Sequence, residues 1–225
     1  LSPEEKHALA NLGLRVRDFP RGTEIVPDRS RPGESCLLAT GLAARAVILR
    51  NGTRQLTAVH VPGDFVDLHG MLLKRMDHSV MALTDCTLCF VEHGELEKLT
   101  ESQPHLWRLL SAMVAIDSAI QRAWMVGLGR RNPISHLAHL LCELYVRLEL
   151  VGAAAANEFE FRVGQAELAD MLGLSVVHTN RTVQELRATN AINWRNGRVR
   201  ILDWHMLSRL GDFDTLYLSL FRERR

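Results

Sequence analysis

The hydrophobic pattern changes period at Pro104, and few folds accommodate both halves. From about Phe19 to Val91, short apolar and β-branched runs are punctuated by Gly22, Pro32-Gly33, Gly41, Asn51-Gly52 and Pro62-Gly63-Asp64, the spacing of an all-β sandwich or barrel. The clearest hairpin runs from Ala46 to Arg50, turns at Asn51-Gly52 and returns from Thr53 to Val59, with a type I′ turn expected because Asn-Gly tolerates positive φ. Beyond Pro104, Leu106, Leu109, Met113, Ile116, Ile120, Ala123 and Gly127 recur in steps of three and four. Such a stripe marks one long helix with a coiled-coil-like seam. Trp107, Leu110, Val114 and Trp124 give this helix a second apolar face, so one face is expected to meet the β-roll and the seam a second subunit.

A length of 225 residues suits two domains. With 47% hydrophobic and 24% charged residues and a net charge of +1, the chain is neither disordered nor low in complexity. No run approaches the roughly 18 consecutive apolar residues of a membrane span, and the polar start is unlike a signal peptide. A membrane protein is therefore not expected. Leu1 in place of Met implies a trimmed start. Cys36, Cys86, Cys89 and Cys142 are too scattered for a disulfide framework, which suits a reducing cytoplasm. Cys86 and Cys89 are formally a CxxC, but on a strand they point to opposite faces and are expected to be core residues.

Gly127 to Pro133 is expected to break the long helix, with a new helix from Pro133 to about Leu150 and a loop from Gly152 to Asn157. The segment from Gln165 to Leu186 then has the pattern of a helix-turn-helix. Ala169 is small where two helices must approach, Gly173 suits the left-handed turn, and Ser175 can cap the second helix. Leu168, Leu172, Leu174 and Leu186 would make its core.

Next comes Ile192 to Ile201, an Asn196-Gly197 hairpin whose arginines alternate with apolar residues. Between residues 173 and 200 there are five arginines (181, 187, 195, 198 and 200) and one acid, Glu185. That local excess is what a polyanion contact needs. The expected fold is α+β: a β-roll over residues 1–103, a dimerisation helix and hinge over 104–131, and a winged helix-turn-helix over 132–225.

A β-roll carrying Pro62-Gly63-Asp64-Phe65, a seam helix and a winged helix-turn-helix together resemble the CRP/FNR family of bacterial transcription regulators. His178-Thr179-Asn180-Arg181 is similar to the FixK-type branch. The resemblance implies a homodimer on palindromic double-stranded DNA, recognition helices about 34 Å apart in successive major grooves, and RNA polymerase as a partner. It also implies that Arg181 reads a guanine. The family's common glutamate position falls on Val177, which cannot accept a hydrogen bond, so Val176 or Val177 would touch a thymine methyl while His178 and Asn180 supply hydrogen bonds. Ser175, Thr179, Arg195, Arg198 and Arg200 are expected at phosphates.

In cyclic-nucleotide sensors of this family a glutamate after Gly-Asp-Phe holds the ribose and an arginine clamps the phosphate. Here the first position is apolar and the second is His78, and neutral imidazole lacks the guanidinium's charge and fork. The effector pocket is expected around Asp67, His69, Arg75, His78 and Ser79, with Arg75 reaching in from its loop. No cofactor is expected. A cyclic nucleotide, haem, or a cupin-like metal site built on His60, His69, His78 and His93 remain as alternatives. Against the metal alternative, His-x-His is absent and these histidines are expected on loops and the surface. His136 and His139 share a helix face and are expected at the surface or hinge. No cysteine precedes Cys36 to hold an iron–sulfur cluster.

Overall fold

The computed structural model describes residues 1–220. A capped helix α1 (Pro3–Ala10) precedes the roll strands β1 (Arg15–Phe19), β2 (Glu24–Val26), β3 (Glu34–Thr40), β4 (Ala43–Ile48) and β5 (Arg54–His60). A short α2 (Gly70–Leu73), β6 (Ser79–Ala82), β7 (Cys86–Glu92) and α3 (His93–Ser102) complete this part. Two sheets, ordered β1-β7-β3 and β2-β6-β4-β5, enclose Cys36, Leu38, Val66, Met76, Val80, Leu88 and Phe90. Alternation along β7 buries Cys86, Leu88 and Phe90 and leaves Cys89 half-buried, as period two requires. The Asn51-Gly52 hairpin departs from expectation. Only Gly52 has positive φ, at 84°, and Leu49 bonds Thr53 across a longer loop with a bulge-type glycine instead of a type I′ turn.

Helix α4 (Pro104–Gly129) lies along the roll, and α5 (Pro133–Leu150) begins where Asn132 caps it by accepting from Ser135 N–H at 2.9 Å. By length and composition α4 could span a bilayer, contrary to the expectation that no segment qualifies. In the fold, Leu106, Ile120, Trp124 and Gly127 are instead covered by the chain itself. The expected dimer seam is thereby corrected in part. Leu106, Ile120 and Gly127 face inward, and Gly127 sits so close to His136 that a Cβ would lie 2.6 Å from its ring. Leu109 is exposed, while Met113, Ile116 and Ala123 are half-covered. Trp107, expected to pack on the roll, is exposed. A 3.5-residue stripe drifts about 20° per heptad on a 3.6-residue helix, so one stripe cannot face one neighbour along the whole of α4.

The remaining elements are β8 (Ala154–Ala155), β9 (Glu158–Glu160), α6 (Gln165–Leu172), α7 (Val176–Ala188), β10 (Ile192–Arg195), β11 (Arg198–Ile201) and α8 (Trp204–Leu210). The expected loop at 152–157 is partly a hairpin, and β8 and β9 extend the wing into a sheet ordered β10-β11-β9-β8. A single 3₁₀ turn at Leu216–Leu218 follows α8. Of the final segment from Phe213 to Phe221, Phe221 lies outside the described residues.

Candidate nucleic-acid interface and sensor cavity

Gly173 has φ of 66° and ends α6, Leu174 N–H closes the turn onto Ala169, and the Ser175 hydroxyl accepts from His178 N–H at 3.2 Å to start α7. The inner face of α7 is Thr179, Thr182 and Leu186, all fully covered. Thr179 is therefore no phosphate ligand. Its hydroxyl is buried without a partner, because position 179 falls three residues before Thr182 on the same inward stripe. The outer face carries Val177, 81% exposed, and Arg181, whose side chain is 68% exposed and 3.6 Å from Glu185. Val176 is exposed beside them, and His178 is half-buried. Asn180 is less free than expected, since its amide donates to Gln165 at 3.0 Å across the two helices. Gln184, three residues beyond Arg181, lies exposed on the outer face. Its spacing of seven from Val177 was the available signal.

The wing turn places Asn196 and Gly197 at positive φ, 51° and 72°, the type I′ geometry expected of Asn-Gly. Its arginines are not all free. Arg198 pairs with Glu160 at 3.2 Å, and Arg200 is hydrogen-bonded to Glu158. Both acids belong to β9, which pairs with β11. Arg195 is exposed and makes no ion pair among the described residues. The first helix of the pair is fastened to the roll: Arg21 reaches Glu167 and Arg54 reaches Asp170, each at 2.7 Å, and Gln55 bonds the Asp170 carbonyl.

Between the roll and α4 lies a cavity of about 220 Å³. Arg45 on β4, His60 on β5, and Asp64, Phe65, Leu68 and His69 after it form one wall. Met113, Ile116, Asp117 and Ile120 on α4 form the other, with Arg147 of α5 at the base. Arg45 was missing from the sequence expectation, although it is the one charge in Leu42-Ala43-Ala44-Arg45-Ala46-Val47. It is 5% exposed. Its Nε donates to His78 Nε2 and its Nη2 to Asp117, each at 3.0 Å, leaving Nη1 buried without a partner. His60 and His69 likewise present unpartnered Nε2 atoms.

The expected pocket residues do not all converge. His69 lines this cavity, and both His69 and His78 line a more open depression of about 460 Å³ next to it. Asp67 is buried elsewhere, accepting from Cys36 N–H at 2.8 Å, and burial pushes its carboxyl up to about 7. Arg75 is exposed and bonds the Arg29 carbonyl, and Ser79 is buried facing Ala46. His60 and His78 are buried, not loop or surface residues as expected. His69, Asp77 and His78 sit close enough to suggest a metal. Both ring nitrogens of His78 are already engaged, however, by Arg45 and by Asp77 at 2.6 Å, and burial beside Arg45 pushes its imidazole down to about 4. That chemistry holds a neutral hydrogen-bonding histidine.

At the cavity wall, Asp64 pairs with Arg147, whose other nitrogen donates to Glu143 at 3.1 Å and to the Val59 carbonyl at 2.9 Å. Glu143 is fully buried and also accepts from Trp124 Nε1 at 3.1 Å and the Tyr217 hydroxyl at 2.8 Å. One polar network thus joins the roll, α4, α5 and the C-terminal turn. His136 and His139 are buried as well, a correction to their expected surface position. His139 contacts the Gly211 carbonyl and Tyr217.

Residues 16–103 match the cyclic nucleotide-binding domain and residues 135–210 the Crp-like helix-turn-helix domain. The chain is 26% identical over 201 residues to the transcriptional activator protein FnrL of Cereibacter sphaeroides, covering 87% of this chain and 80% of that protein. It is 26% identical over 203 residues to the nitrogen fixation regulation protein FixK of Bradyrhizobium diazoefficiens, covering 90% and 84%. The FixK2 structure from Bradyrhizobium japonicum superposes with a TM-score of 0.79 at 22% identity, covering 88% of this chain and 98% of that one. The chain belongs to the CRP/FNR family of DNA-binding transcription regulators.

Proposed function

We propose that the chain works as a cytoplasmic homodimer that reads an inverted-repeat operator and meets RNA polymerase there, as a regulator and not an enzyme. The observation that carries this reading is the outer face of α7, where Val177 and Arg181 stand exposed on a helix whose opposite face is packed. Arg181 would donate two hydrogen bonds to guanine, Val176 and Val177 would meet thymine methyls, and His178 would add a polar contact. Ser175 and the wing arginines would hold phosphates.

The partner subunit would lie along the stripe Ala112, Ile116, Ala119, Ala123 and Val126, of which Val126 is exposed and the others half-covered; it keeps heptad spacing and retains Ile116 and Ala123 of the expected seam. Small alanines there let two helices approach closely. Selecting bound duplexes from a random pool tests the proposal. An enriched inverted repeat with half-sites about one helical turn apart supports it, and an unsymmetric site or no enrichment contradicts it.

A further inference from the structure

The sensor cavity carries its own chemical specification. Buried polar groups in proteins are nearly always hydrogen-bonded, yet Arg45 Nη1, His60 Nε2 and His69 Nε2 are unpartnered and all three residues line the same space. Arg45 is the cation of this set, and its Nε and Nη2 are already committed to His78 and Asp117. One guanidinium nitrogen therefore remains. It can take one oxygen, but not present the fork that favours a phosphate. Arg147 offers no substitute, because its charge is already matched by the two carboxylates of Asp64 and Glu143, which its Nη2 and Nη1 bond.

Apart from the carboxylates of Asp64 and Asp117, which are paired with Arg147 and Arg45, the rest of the wall is apolar: Phe65, Leu68, Met113, Val114, Ile116 and Ile120. A volume of about 220 Å³ is below the roughly 300–1,000 Å³ of pockets that take drug-sized ligands. We propose that this cavity binds a small organic monocarboxylate. One carboxylate oxygen accepts from Arg45 Nη1, the other accepts from His69 in its Nε2–H tautomer, and a short apolar body lies against Phe65, Leu68 and Ile116. This deepens the regulator reading and depends on it only for what binding does to DNA affinity.

Calorimetric titration of the full chain with acetate, butyrate, hexanoate and benzoate tests the proposal, with benzyl alcohol as the uncharged counterpart of benzoate and cyclic AMP as the nucleotide competitor. At least one carboxylate should saturate at one per chain. Benzyl alcohol should bind roughly tenfold more weakly than benzoate or worse, the loss of one charge-assisted hydrogen bond. Arg45→Met should abolish carboxylate binding, and His69→Phe should weaken it if Arg45→Met does not fold. The proposal is overturned if no carboxylate saturates, if benzyl alcohol matches benzoate, if a folded variant binds as the wild type does, or if cyclic AMP displaces benzoate. DNA affinity measured in the same samples without carboxylate separates the two ideas: its absence removes the regulator reading and leaves the cavity result standing.

Discussion

Asp64, on the turn after β5, is ion-paired with Arg147 on α5, so the roll and the part of the chain that carries the recognition helix share one partly buried bond. Burial alone would raise the Asp64 carboxyl, but Arg147, with His60 and the Val61 N–H beside it, holds it down to about 2. Asp64→Asn would remove this charge and leave Arg147 with Glu143 alone. Breaking a buried pair from one side costs about 3–5 kcal/mol, and Asp64 is partly exposed, so a loss of about 2–3 kcal/mol is expected. Urea denaturation measures it, and a change below about 0.5 kcal/mol would contradict the role assigned to the pair.

Acid should destabilise the fold well above the pKa of Asp64. Burial pushes His136 and His139 down to about 4, as it does His78. Between pH 6.5 and 4 the unfolded chain takes up protons that the folded chain refuses. The stability from the neutral rings is thus present above about 6.5 and is lost as pH falls towards 4. Asp67, raised to about 7, and Glu143, raised by burial, work in the opposite direction, but burial lowers His60, His69 and His93 too, so two carboxyls stand against six rings. Denaturation midpoints should fall steadily over this range, and His139→Gln should flatten the slope by up to about 1.4 kcal/mol per pH unit. A flat profile in the wild type would show that these rings are protonated in the folded state.

Local signals in the sequence foretold local structure well. Asn196-Gly197, Pro133, Gly173 and Ser175 each act within a few residues, and each turn, helix start or cap stands where those residue types imply. Groups whose role depends on distant neighbours were less legible. Arg45 is a cavity residue because its side chain reaches Asp117 on α4, and Thr179 is buried because α5 and α6 both pack on α7. Glu158 and Glu160 neutralise wing arginines about 40 residues away only because β9 pairs with β11. The heptad stripe was visible, but its neighbour was not, since periodicity gives a face and leaves open what covers it.

Because Glu158 and Glu160 hold Arg198 and Arg200, the wing is less basic than its composition implies. Glu158→Gln should release Arg200, strengthen binding to DNA of any sequence and steepen the salt dependence by up to about one unit per arginine freed. Arg195→Ala, at a residue with no acid partner among the described residues, should weaken binding uniformly. Affinities across a salt series test both, and an unchanged slope in Glu158→Gln would mean that the wing does not touch phosphate.

If α7 reads bases through Arg181, the DNA sequences selected by wild type and by Arg181→Ala must differ at the position that this residue contacts. Arg181 shares its exposed face with Val177, four residues away, and is restrained only by a surface contact with Glu185, worth a few tenths of a kcal/mol. A bidentate contact to guanine O6 and N7 is worth about 1–3 kcal/mol against the wrong base. The variant should lose its preference at one guanine in each half of an inverted repeat and keep its neighbouring preferences nearly intact. A uniform loss of affinity with an unchanged sequence preference would make Arg181 a phosphate contact and contradict the account.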